Sequence, residues 1–163
     1  MRTVMLRSRF ATEDAHRDFQ RVADFGLFPS LAEDVRAVET HPAPSRDMPR
    51  DSDWEVNFRR GVMRWNEWES VDVDRLRIEF DQASGDFEEF HGFWQLDPVT
   101  GGCEVVFEVT YDFGIESLAG IMDPIAERVV KRVICSVLTG LFGDLAVLEG
   151  GEALVDLAGL VPR

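Results

Sequence analysis

The sequence predicts one α+β domain, in which a curved antiparallel sheet of about seven strands closes over a long C-terminal helix, with two short helices after the first strand. Three observations carry this expectation. Up to Phe113 most segments alternate apolar and polar residues with the period of two that a half-buried strand requires. From Leu118 the apolar residues instead recur at three- and four-residue spacing, the period of an amphipathic helix. The length of 163 residues, 45% of them hydrophobic and 29% charged, suits a single buried core.

The elements follow in order. Thr3 to Phe10 alternates Val4, Leu6, Ser8 and Phe10 against Thr3, Met5, Arg7 and Arg9. Thr12 offers a helix N-cap with Glu13 and Asp14 in the first turn, and the helix runs to about Asp24. Gly26 and Pro29 break it before a short second helix or turn around Leu27, Phe28 and Leu31, and a strand follows from Val35 to Thr40. His41 to Asp53 carries Pro42, Pro44 and Pro49 among charges and reads as an exposed loop, or a mobile flap. Strands are expected at Trp54–Phe58, Val62–Val71, Arg75–Gln82, Glu88–Leu96 and Cys103–Phe113, with turns at Gly61 and at Thr100 to Gly102. The long helix spans Leu118 to about Leu148, with Leu118, Met122, Ile125, Val129, Val133, Val137 and Leu141 inward and Glu127, Arg128, Lys131 and Arg132 outward. Gly150 and Gly151 end it, and Glu152 to Leu160 forms a short extra helix covering an edge. Residues 1–148 are thus the expected domain and 149–163 a C-terminal extension.

Composition excludes several classes of function. Against 31 acidic residues stand 17 basic ones, a net charge of −14 that repels nucleic acid and anionic membrane. All the basic residues except Lys131 are arginine, a mark of a high-GC genome. Arg2, Arg7 and Arg9 interrupt any signal-peptide core, so a cytoplasmic location is expected. The uncharged stretch Val133 to Gly143 is about half of the ~20 residues a membrane span needs. Cys103 and Cys135 lie in apolar surroundings and read as inert core thiols. His16, His41 and His91 have no second ligand at metal spacing, Ser70 and Ser136 lack a nucleophile's context, and the paired glycines belong to turns and helix ends. No metal site and no cofactor is expected.

This order of elements, with certain short motifs, resembles the START-like, helix-grip superfamily that contains coenzyme Q-binding proteins and polyketide cyclases. Val22-Ala23-Asp24 followed by Phe28-Pro29 is similar to the family's opening segment. Gly85-Asp86-Phe87 followed by Gly92-Phe93-Trp94-Gln95-Leu96, and the strand Cys103–Phe113 running into Gly114 to Ile121, resemble its later ones. The likeness covers roughly residues 3 to 145 and is greatest to small polyketide aromatase/cyclases of secondary metabolism. It implies a tunnel between sheet and helix that folds a carrier-bound poly-β-keto chain for aldol cyclisation and dehydration, largely by positioning. An acyl carrier protein is then an expected partner, and the chain a monomer or homodimer.

Candidate site residues lie on the strands. A turn at Arg60-Gly61 would pair Val56 with Trp65 and Trp54 with Glu67, turning Met63, Trp65, Glu67 and Glu69 toward the cavity. A carboxyl among tryptophans is desolvated and becomes a usable general acid or base, which makes Glu67 the first catalytic candidate. A one-residue slip would instead point Arg64, Asn66 and Trp68 inward. The resemblance implies an arginine on this strand holding the substrate oxygen. No residue from Trp65 to Asp74 is arginine, Glu69 falls near that position, and Arg64 is the nearest replacement. Tyr111 is the third candidate, either donating to a substrate carbonyl or packed in the core with one hydrogen bond. Trp54, Phe58, Trp65, Phe80, Phe90, Trp94, Phe107, Phe113 and Met122 are expected to line the cavity.

An inward, desolvated Glu67 or Arg64 favours an enzyme; an apolar lining alone favours a carrier of a quinone or a finished polyketide. A ribosome-associated role, known in the same superfamily, is opposed by the charge. The basic groups Arg59, Arg60 and Arg64 on one hairpin, and Arg128, Lys131 and Arg132 on the helix, are either a carrier-protein surface or solvated faces.

Overall fold

The computed structural model describes residues 1–59 and 61–152. In chain order they form β1 (Arg2–Ala11), α1 (Ala15–Ala23), a 3-10 turn (Phe25–Leu27), α2 (Phe28–Leu31), β2 (Val35–His41) and β3 (Arg50–Phe58). There follow β4 (Gly61–Asp72), β5 (Arg77–Gly85), β6 (Glu89–Val99), β7 (Gly102–Asp112), α3 (Glu116–Phe142) and β8 (Ala146–Glu149). The eight strands make one antiparallel sheet in the order β2-β3-β4-β5-β6-β7-β1-β8, and α3 lies against its concave face. This is the helix-grip architecture expected from the alternation, with one strand more. The inward side chains of β1 (Val4, Leu6, Phe10), β6 (Trp94, Leu96) and β7 (Val105, Phe107, Val109) meet Val133, Val137 and Leu141 of α3 in a single core.

The structure corrects the expected long helix at its end. Gly143 adopts a left-handed φ of 81° and its N–H donates to the Thr139 carbonyl at 2.9 Å, which closes α3. The apolar residues beyond it, read as further helical turns, belong to β8, which pairs with β1 through Ser8 and Val147. The expected boundary between residues 148 and 149 falls within this strand, and from residue 153 the expected terminal helix lies outside the described residues.

The buried line of α3 is also displaced at its start. It runs through Asp123 and Ala126 into Val129, Val133, Val137 and Leu141, leaving Met122 and Ile125 half-buried and Leu118 exposed. The Tyr111 hydroxyl on β7 donates to the Asp123 carbonyl at 2.7 Å and holds this rotation. Lys131, expected on the solvated side, is only 5% exposed, and its Nζ donates to Glu127 at 2.9 Å, which offsets the burial of its charge. At α1 the N-cap is Asp14, whose carboxylate accepts from the Arg17 N–H, while Thr12 donates to the buried Asp18.

Gly92 shows why the aromatic motif needs a glycine. A β-carbon there would lie 2.0 Å from the Glu108 carbonyl oxygen and 2.9 Å from the Phe80 ring. Gly92→Ala is expected to lose about 2–4 kcal/mol of stability in urea denaturation, whereas Gly120→Ala, in an open helical position, gains up to about 1 kcal/mol.

Candidate active site

Between sheet and helix is a cavity of about 60 Å³. Trp54, Trp65, Phe80, Phe90, Trp94 and Phe107 wall it on the sheet side, and Val129, Val130, Val133 and Ile134 on the α3 side. Phe25 and Phe28, from the turn and α2, close one end, and Glu67 is the only ionisable residue among its described lining. The rings brace one another: Trp54 and Trp65 stack with centroids 5.7 Å apart and planes 4° off parallel, while Phe25 and Phe28 meet Trp54 edge-on.

The β3–β4 register explains how Glu67 reaches this wall. Phe58 pairs with Gly61, Trp54 with Trp65, Ser52 with Glu67 and Arg50 with Glu69. The expected pairing of Val56 with Trp65 is therefore wrong by two residues, since the turn falls one position earlier. A displacement of two preserves which side chains share a face, so Trp65, Glu67 and Glu69 point inward as expected. On the other side of β4 the ladder with β5 is irregular. Asn66 pairs with Ser84 but Glu67 with Gln82, so Ala83 is an extra residue, a bulge directly opposite Glu67.

Glu67 and Glu69 are both buried; the polar partners of Glu69 come from β3 and that of Glu67 from β4 itself. Arg50 Nε donates to Glu69 Oε1 at 2.7 Å and its Nη2 to the Ala23 carbonyl at 2.6 Å, with the guanidinium 4.8 Å from the Phe25 ring centroid. Ser52 Oγ donates to the other oxygen of Glu69 and accepts from Trp54 Nε1 at 2.7 Å. Glu67 accepts from Trp65 Nε1 at 2.8 Å. Burial, then the neighbouring Glu69, push the Glu67 carboxyl well above its ordinary range, against the weaker opposing pull of Trp65 and Arg50. The Arg50–Glu69 ion pair thus stands behind Glu67, whose carboxyl, with its pKa raised, faces the cavity.

Other expected residues lie elsewhere. Arg64 is on the outer face, its side chain 58% exposed and paired with Glu55 at 3.2 Å, because the odd positions of β4 take the inner face. Tyr111 is fully buried and its hydroxyl donates to the Asp123 carbonyl; burial raises its pKa, and it is not among the residues lining the cavity, although its cross-strand partner Phe90 is. Phe113 lies beyond the end of β7, half-buried against Phe87, and Met122 is half-buried on α3; neither reaches the cavity. The remaining expected lining residues, Trp54, Phe58, Trp65, Phe80, Phe90, Trp94 and Phe107, all line it. Arg50 and Ser52 are not among the expected site residues because they fall in the proline-rich segment His41 to Asp53 that reads as a loop, whereas β3 already begins at Arg50.

Burial pushes both thiols, Cys103 and Cys135, up to about 11, which suppresses thiolate chemistry. His41 gains the carboxylate neighbours that sequence spacing hid. Pairing of β2 with β3 brings Asp53 to 2.9 Å, and ligand atoms of Glu39, His41 and Asp53 lie within 4.8 Å of one another on the outer face. The hydrogen bond to Asp53 raises the His41 pKa.

The chain belongs to the family described as polyketide cyclase/dehydrase and lipid transport, which residues 14–138 match. No curated protein sequence is detectably similar to it. Among solved structures, a Thermus thermophilus protein superposes with a TM-score of 0.74 at 24% identity, covering 86% of this chain and 94% of its own. The Zhui aromatase/cyclase of a Streptomyces species gives 0.66 at 16% identity over 96% of this chain and 95% of its own. A START superfamily protein of Mycobacterium smegmatis gives 0.68 at 11% identity over 85% and 93%. These likenesses establish the shared fold. No helix among the described residues is long and apolar enough to cross a membrane.

Two expectations follow from the carboxyl pair. Arg50→Ala strands a buried charge on Glu69 and should cost about 3 kcal/mol in chemical denaturation, largely recovered by adding Glu69→Gln, while Arg64→Ala stays within about 0.5 kcal/mol. Because folding raises the Glu67 pKa above 4.5, its contribution is complete below pH 4.5 and is lost as pH rises through the native value. Glu67→Gln should therefore flatten the stability profile above pH 4.5 and be the more stable protein in alkaline solution.

Proposed function

We propose that the protein is a polyketide cyclase in which Glu67 is the general acid. The observation that carries this reading is a buried carboxyl group on the wall of an otherwise aromatic and aliphatic cavity, with the Arg50–Glu69 ion pair behind it and its own pKa raised by burial and by Glu69. A carboxyl so raised keeps its proton to higher pH than an exposed one and can give it to a carbonyl oxygen.

The chemistry closes on this one residue. Glu67 gives its proton to the carbonyl oxygen as an enol carbon of the same chain attacks the carbonyl carbon, and the carboxylate it leaves takes the enol O–H proton as that oxygen becomes a ketone. Dehydration repeats the exchange, with Glu67 protonating the departing hydroxyl and its carboxylate recovering the α-proton as water leaves. Holding both carbons of one chain between aromatic walls supplies the alignment, and the exclusion of water protects the enol. Family membership and the shared fold with an aromatase/cyclase are consistent with this chemistry.

The test supplies purified protein to a minimal polyketide synthase and its carrier protein and compares the products. A new ring pattern is expected, slowed about 10²–10⁴-fold in Glu67→Gln and unaffected in Arg64→Ala. An unchanged product profile with tight binding of a quinone or finished polyketide would replace the cyclase by a carrier.

A further inference from the structure

The cavity of about 60 Å³ is smaller than the roughly 300–1,000 Å³ of common ligand pockets. A cleft of about 500 Å³ adjoins it, and the two share Phe58 and Val129 as a common wall. The cleft lies between the tip of the β3–β4 hairpin and the outer side of α3. Its apolar floor is Val62 and Ile125, and its rim carries Arg59, Arg128 and Arg132 against the single carboxylate of Asp34.

These arginines have different duties. Arg132 bonds the Asp34 carboxylate through Nε at 2.7 Å and Nη2 at 2.6 Å, and the Asp34 carbonyl accepts from the Asn57 N–H at 2.7 Å, so this pair ties the hairpin to the helix. Among the described residues no carboxylate lies within salt-bridge distance of Arg59 or Arg128. Two guanidinium groups without an acidic partner, converging on one concavity, are conspicuous in a chain of net charge −14. Arg59 comes from the hairpin and Arg128 from the helix, so the basic groups that are far apart in sequence meet only in the fold. Lys131 and Arg64, which belong to the same sequence clusters, point elsewhere.

We propose that this cleft is an anion subsite: the substrate is an amphipathic molecule whose carboxylate or phosphate is held by Arg59 and Arg128 while its apolar part passes between Phe58 and Val129 toward Glu67. Arginine binds either oxyanion through paired N–H groups, and a concave, partly apolar setting strengthens the attraction. This rests on the reading of the interior as a ligand cavity and adds the charge and polarity of what enters it.

Three probes of one chain length test the subsite: a naphthyl-alkyl carboxylate, the corresponding phosphate monoester and the neutral alcohol, each titrated calorimetrically. The expected result is at least about tenfold tighter binding of one or both anions than of the alcohol, diminishing as salt is raised. In Arg59→Gln/Arg128→Gln that preference should fall to about twofold or less with the alcohol's affinity unchanged; whichever anion binds more tightly identifies the headgroup. Equal affinity for all three probes, or a variant that weakens alcohol and anions alike, overturns the subsite, and so does a failure of every probe to bind. The cyclase reading is judged separately by the Glu67-dependent product change, so a subsite without cyclisation and cyclisation without a subsite are distinct results.

Discussion

Two carboxyl groups two residues apart on an inward-facing strand impose the central constraint on this protein. Both cannot ionise in an apolar interior without a counter-charge, and the inner face of β4 supplies none. The counter-charge is Arg50, and its position fixes more than a titration. Reaching Glu69 sets the start of β3 against the middle of β4, while the other end of the guanidinium holds the last carbonyl of α1 and lies on the Phe25 ring. One side chain thus joins sheet, first helix and the aromatic end of the cavity. Ser52 and the two stacked tryptophans complete an arrangement in which every indole N–H near the pair has a polar partner.

The same constraint separates chemistry from recognition. Charge is concentrated behind the cavity wall at Arg50 and Glu69, which act on the Glu67 carboxyl but do not line the cavity. Positive charge at the opposite side of the Phe58–Val129 wall faces solvent. Between these lies an aromatic lining whose rings prefer planar, apolar guests. Family membership, the buried acid and this polarity are the features on which the cyclase proposal rests.

Much of this could be read from residues. Alternation located the strands because each has one face on the core, and it placed Glu67 inward since faces survive a displacement of two. It could not give the register itself, which depends on where a turn closes. The arginine partner escaped because Pro42, Pro44 and Pro49 made the whole segment look irregular, although β3 begins immediately after Pro49. In the sequence Arg64 stands out as the nearest arginine to the position the resemblance implies, and Tyr111 as a hydroxyl on the apolar face of the last strand. Strand parity puts the first in solvent, and the rotation of α3 gives the second a structural bond. Helical spacing ran on past Gly143 by coincidence of composition, where only a left-handed backbone reveals the stop.

β8 has a consequence for how the protein behaves at high concentration. An open sheet exposes unpaired N–H and C=O groups along its outermost strands, and these invite copies to add strand upon strand. Without β8 the outer strand on that side would be β1, ten residues long, regular and apolar on alternate positions. Covering it with four exposed residues, offset by an irregularity between Arg7 and Ser8, substitutes a short and uneven margin. The margin on the other side, β2, carries Arg36, Glu39 and His41. With a large net negative charge to keep molecules apart, the sheet is poorly suited to templating fibrils despite its many β-forming residues.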